Sequence, residues 1–68
     1  MTTEFNVAVD NRGFRWRCVG AVLEDGSVRL VEVHFVREGR GEYRVGVDSL
    51  ACMRMDGLLV LRIKEAIC

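Results

Sequence analysis

Cys18, His34, Cys52 and Cys68 are the residues of this chain best suited to covalent or metal chemistry. Thiolates and a neutral imidazole are good zinc ligands, and a thiol beside a histidine is a nucleophile. Their spacing argues against both uses. Structural zinc sites gather ligands in close pairs such as Cys-x-x-Cys, and no such pair occurs here. Alternation along strands sets Cys18 and His34 on opposite faces, and nothing brings Cys52 or Cys68 to the histidine. Ser27 falls in a turn and Ser49 at a strand break, neither within a nucleophile motif. The Gly39-Arg40-Gly41 loop is not followed by the helix a phosphate cradle requires. The expectation is therefore no enzyme, no metal and no cofactor, with free, reduced cysteines.

Arginine chemistry remains. Ten cations balance ten anions, and every cation except Lys64 is arginine. Guanidinium groups suit planar, bidentate contact with carboxylate or phosphate, although a GC-rich genome produces the same bias. Strand alternation places Arg17, His34 and Arg44 in one row across three strands, with Arg15 beside it and Glu32 one step along. That row is a candidate contact for an acidic protein surface or a phosphate. It also fits an ordinary solvated face with Glu32 as counter-charge. Sheets that bind nucleic acid usually add exposed aromatics and a basic field. Here Phe14, Trp16, Phe35 and Tyr43 all fall on the opposite, core side, and the net charge is zero. Met53 and Met55 form a second candidate, because thioethers adapt to irregular partners.

The elements that position these residues follow from two Asp-Gly pairs, Asp25-Gly26 and Asp56-Gly57. Each lies between apolar runs, the pattern of a hairpin closed by a two-residue type I′ turn. Strands are expected near 5–9, 14–23, 28–36, 43–47, 50–55 and 58–63. With Asp25-Gly26 as a two-residue tip, Cys18 faces Val33 and Trp16 faces Phe35. One face then collects Phe14, Trp16, Cys18 and Val22 with Val31, Val33 and Phe35. A Glu38-Gly39-Arg40 loop sets Tyr43 opposite Phe35 and Val45 opposite Val33, so that Tyr43, Val45 and Val47 join the same core face. Val28 and Leu30 fall on the other face. The second Asp-Gly pair places Leu50, Cys52, Leu59, Leu61 and Ile63 on one face and Met53, Met55, Leu58 and Val60 on the other. Asp48 or Ser49 also suits the cap of a single helical turn near 48–53.

These strands predict an all-β fold over 1–68, a single small domain. A meander of about five or six strands closes into a barrel or a strongly curled antiparallel sheet. The strand order resembles SH3-like and Sm-like small barrels. The stretch from Arg37 to Val45, followed by Leu61-Arg62-Ile63, resembles the end of WYL-type regulatory barrels without their Trp-Tyr-Leu run. Both resemblances concern architecture, which does not carry function with it.

A chain of 68 residues, half of them hydrophobic, is short of interior for its apolar surface. Its apolar runs are far below the ~20 residues of a membrane span. The N-terminus begins with Met and has neither the basic nor the apolar region of a secretory signal, so a complete cytoplasmic product is expected. The predicted role is a non-enzymatic protein-interaction module. It is a small regulator or inhibitor of a larger partner, of the kind phages and mobile elements carry. Arg15, Arg17, His34, Arg44, Met53 and Met55 are its candidate contacts, and a homodimer is a further expectation. The alternative is a small barrel that binds RNA or single-stranded DNA through the arginine face.

Overall fold

The computed structural model describes residues 2–68. Four strands form an antiparallel meander in the order β1-β2-β3-β4: β1 (Thr3–Asn11), β2 (Phe14–Val22), β3 (Val28–Arg37) and β4 (Gly41–Arg44). Two helices follow, α1 (Val47–Arg54) and α2 (Gly57–Ile67). The fold is mostly β, and its sheet is open. The expected fifth and sixth strands are helices, so no barrel closes.

The turns explain the register. Arg12-Gly13 is the two-residue loop between β1 and β2, with φ of 55° and 82°, the left-handed pair of a type I′ turn. Asp25-Gly26 belongs to a different turn. The Leu23 amide donates to the Ser27 carbonyl at 2.8 Å and the Gly26 amide to the Leu23 carbonyl at 2.9 Å, enclosing a loop of Glu24, Asp25 and Gly26. Gly26 takes φ 85°, the left-handed position that such a loop requires. The Asp25 carboxylate holds the turn by accepting from the Ser27 amide at 2.9 Å and its hydroxyl at 2.6 Å.

The extra loop residue shifts the pairing next to the tip, so Val22 faces Val28 and Gly20 faces Leu30. An irregularity at Val19/Gly20 restores it, and beyond that point Cys18 faces Val33 and Trp16 faces Phe35, as the alternation predicts. Leu30 therefore turns into the core, 3 % exposed, and Val31 turns out, 47 % exposed. The two exchange the faces expected for them. Gly20 makes the crossing feasible: a Cβ there would strike the Arg29 carbonyl and sit 3.0 Å from the Phe5 ring. The β3–β4 loop matches expectation, with Tyr43 opposite Phe35 and the Val45 amide on the Val33 carbonyl, but β4 ends at Arg44, and Val47 opens α1 in an exposed position instead of joining the core.

The second Asp-Gly pair caps a helix. The Asp56 carboxylate accepts from the Leu58 and Leu59 amides at 3.0 and 3.2 Å. Those are orphan donors of the first turn, and Asp is among the residues best suited to take them. The following residues favour a helix over a strand. Leu59, Ile63 and Ile67 recur every four residues, and Leu, Arg, Lys, Glu and Ala fill much of the rest. The short helical turn allowed near 48–53 is real and longer, running as α1. Met55 and Asp56 form the corner between the helices, their amides on the Cys52 and Met53 carbonyls.

Both helices lie on the inner face of the sheet, with Leu59 and Ile63 buried against Phe5, Val9, Cys18, Leu30 and Val33. Full burial of a Leu or Ile side chain stabilises by roughly 1.5–3 kcal/mol. The Asp56 carboxylate also accepts from Asn11 Nδ2 at 3.3 Å and Arg12 Nε at 3.2 Å. These contacts tie the start of α2 to the β1–β2 turn, and Lys64, Ile67 and Thr3 line a common recess near the other end. Hence α2 runs antiparallel to β1. Among the described residues, no helix is long and apolar enough to cross a membrane.

Candidate interaction surface

The outer face of the sheet carries the polar row. Arg17 pairs with His34 and His34 with Arg44, so the three lie side by side on β2, β3 and β4. The row is occupied from within. Arg17 Nε donates to both oxygens of Glu42, at 2.8 and 3.0 Å, and its Nη1 to Asn6 Oδ1 at 3.0 Å. His34 Nε2 lies 3.0 Å from Glu32 Oε1, and Arg44 Nε lies 3.8 Å from the same oxygen. His34 Nδ1 is 3.9 Å from Glu42. Arg15 pairs with Asp10 at 3.3 Å. The hydrogen bond from His34, then the charge of Arg44, holds the Glu32 carboxyl below its usual range. Glu32 was legible as a counter-charge. Glu42 was missed, although it stands two residues before Arg44 and so on the same face.

The inner face carries an aromatic row one register step away. Trp16 faces Phe35, which faces Tyr43. Trp16 and Phe35 have ring centroids 5.2 Å apart, and Phe14 meets Phe35 edge-on at 5.4 Å. The side of the sheet is the expected one, but the core does not extend this far. The helices leave a corner bare: Phe14 is 54 % exposed and Tyr43 60 %. At that end of the sheet, a groove of about 970 Å³ is lined by Phe14, Phe35, Arg15, Arg37 and Arg40, among others. Arg37 donates to the Arg40 carbonyl at 3.4 Å, and neither arginine joins an ion pair among the described residues.

The methionines lie on this inner side too, not on a strand face. Met53 packs half-buried on the core, and Met55 at the helix corner is 87 % exposed. With Trp16, Asn11, Arg12 and Cys52 they line a cleft of about 440 Å³ next to the aromatic row. Asn11 Oδ1 is buried there without a hydrogen-bond partner. The six predicted contact residues thus divide between two surfaces: Arg15, Arg17, His34 and Arg44 outside, Met53 and Met55 inside.

Cys18 is fully buried under the helices, and burial pushes its thiol pKa up to about 11. His34 is on the far side of the sheet from it. Cys52 and Cys68 are exposed. Among the described residues, no group of three or more His, Cys, Asp or Glu side chains is placed to hold a metal ion.

Fold and surface together define a class, an open four-stranded meander roofed by two C-terminal helices with an aromatic corner left bare. No family model matches the chain, and no curated protein or solved structure is significantly similar to it.

Proposed function

We propose that this chain is a non-enzymatic protein-interaction module, a small regulator or inhibitor that docks a larger protein through the aromatic corner. The observation that carries this reading is the exposure of Phe14 and Tyr43 beside Trp16 and Phe35, with Met53 and Met55 continuing the surface. Trp, Tyr, Phe, Met and Arg are the residues enriched at protein interfaces, and a few buried aromatics carry most of the binding energy. Arg37 and Arg40 at the rim suit a partner segment that is apolar with a flanking carboxylate. The outer row is a weaker candidate, because a partner would have to displace Glu42 and Glu32 from it.

The test compares variants in capture and affinity measurements against the host proteome. Phe14→Ser and Tyr43→Ser are each expected to weaken the captured partner by about 30-fold, the ~2 kcal/mol of an anchor residue. Arg44→Glu on the outer face is expected to leave it unchanged. The opposite pattern would move the site to the polar row.

Exposed Phe14, sharing a groove with Arg37 and Arg40, and exposed Tyr43 opposite Phe35 also favour a second reading, the stacking of single-stranded RNA or DNA. Titration with a labelled oligonucleotide at two salt concentrations separates the two. Phosphate contacts demand a steep fall in affinity with salt.

A further inference from the structure

The two edges of the sheet are built differently. β4 is four residues long, and its Glu42 and Arg44 are engaged in the polar row. Short, charged edges discourage pairing with another chain. β1 is nine residues long and pairs with β2 without a register shift. It contains no proline and no lysine, and its centre, Asn6-Val7-Ala8-Val9, is uncharged. Several usual guards of a free edge are therefore missing, and its charges, Glu4 and Asp10, stand towards its ends.

Register fixes which backbone groups that edge offers. Asn11 and Phe14 flank the two-residue Arg12-Gly13 loop, so they form a hydrogen-bonded pair. Odd-numbered residues of β1 therefore turn their amides and carbonyls to β2. Glu4, Asn6, Ala8 and Asp10 turn theirs outward.

The flank of the edge says what fits it. Arg62, Glu65 and Ala66 of α2 line a recess of about 430 Å³ with Ala8, Val9 and Asp10 of β1. Arg62 and Glu65 lie one helical turn apart, exposed and opposite in charge. A two-fold axis beside them would set Arg62 against a second copy's Glu65, and the small Ala66 leaves room for two such helices to approach.

We infer that β1 is the seam of a symmetric dimer, in which a second copy of this chain continues the sheet antiparallel across a two-fold axis at Ala8. In that register Asn6 lies opposite the partner's Asp10, and Glu4 passes the end of the partner's β1 at Asn11. Centring the axis on Val7 would set Glu4 against the partner's Asp10, acid against acid. The dimer seats Arg62 by the partner's Glu65 and leaves the aromatic corner of each copy free. The Met53/Met55 surface is not part of it.

Sedimentation velocity over a concentration series tests the seam. The wild-type chain is expected to dimerise. Ala8→Pro removes an outward amide without touching the β1–β2 ladder, so it should raise the dimer dissociation constant about 100-fold with an unchanged circular dichroism spectrum. Arg62→Glu should weaken the dimer roughly tenfold, and the double exchange Arg62→Glu/Glu65→Arg should restore it, a pair that keeps the test valid if proline disturbs folding. A wild-type chain still monomeric at about 1 mM overturns the proposal. So does a dimer indifferent to Ala8→Pro and Arg62→Glu, or one lost in Tyr43→Ser.

Discussion

Two rows cross the same three strands one register step apart, and they end up in opposite conditions. On the outer face, Arg17, His34 and Arg44 meet Glu42 and Glu32. On the inner face, Trp16, Phe35 and Tyr43 meet one another and then run out of cover. Charges at a surface can be satisfied by neighbours on the same sheet, because an acid two residues along a strand faces the same way. Apolar surface needs another layer. The described residues supply only two short helices for that layer, and they stop before the corner. The difference teaches which row is available to a partner. The row that looks most polar in the sequence is already matched, and the row that looks like core is partly free.

The largest expected effect separates the covered part of the inner face from the bare part. Ile63 is fully buried at the centre of the helical layer. Ile63→Ala should cost about 2–5 kcal/mol in chemical denaturation. Tyr43→Ala, on the same face but 60 % exposed, should cost less than about 1 kcal/mol. Equal losses at the two positions would mean that the corner is core and would remove the proposed docking surface.

The inner layer was also the part least legible in the sequence. The pairings of Cys18 with Val33 and Trp16 with Phe35 could be read directly, because a one-residue slip would drive Arg15 and Arg17 into the core, and that of Tyr43 with Phe35 because it sets Tyr43 and Val45 on the core side of the sheet. Near the Asp25-Gly26 tip that safeguard is lost. Val31 and Leu30 are equally apolar, so nothing in their types betrays the shift that exchanges them. Asp56-Gly57 misleads for another reason. Aspartate before glycine serves a turn and a helix cap alike, and the decision rests on the residues after it. There Leu59, Ile63 and Ile67 keep a helical spacing that outweighs the short apolar run. The outer row was legible because it depends only on strand register. The bare corner was not, because it depends on where two helices end.

An intermediate effect tests the anchor of that layer. Asp56 holds the first turn of α2 and ties it to Asn11 and Arg12. Its carboxyl is held below its usual value first by the Leu59 amide and then by Arg12 and Asn11. Asp56→Ala should destabilise by about 1–2 kcal/mol. Asp56→Asn should recover most of the loss, since an amide oxygen still caps. If both variants lose the same amount, charge rather than capping sets the start of the helix.

The smallest effect belongs to the outer row and is a matter of pH. Glu32 titrates below the ordinary 4.5 because His34 hydrogen-bonds its carboxylate and Arg44 lies near it. The folded chain therefore binds that proton less readily than the unfolded chain does. The row's contribution is complete above the unfolded value of 4.5 and is lost as pH falls through the lower folded value. Thermal melts between neutral pH and acid should show this loss in the wild type and a reduced one in Glu32→Gln. Tyr43→Ala should keep the wild-type slope, because the aromatic row holds no carboxylate. If Glu32→Gln keeps the full acid dependence, the outer row is not bound together by its charges. The contrast between a satisfied outer face and an unsatisfied inner one would then lose its electrostatic half.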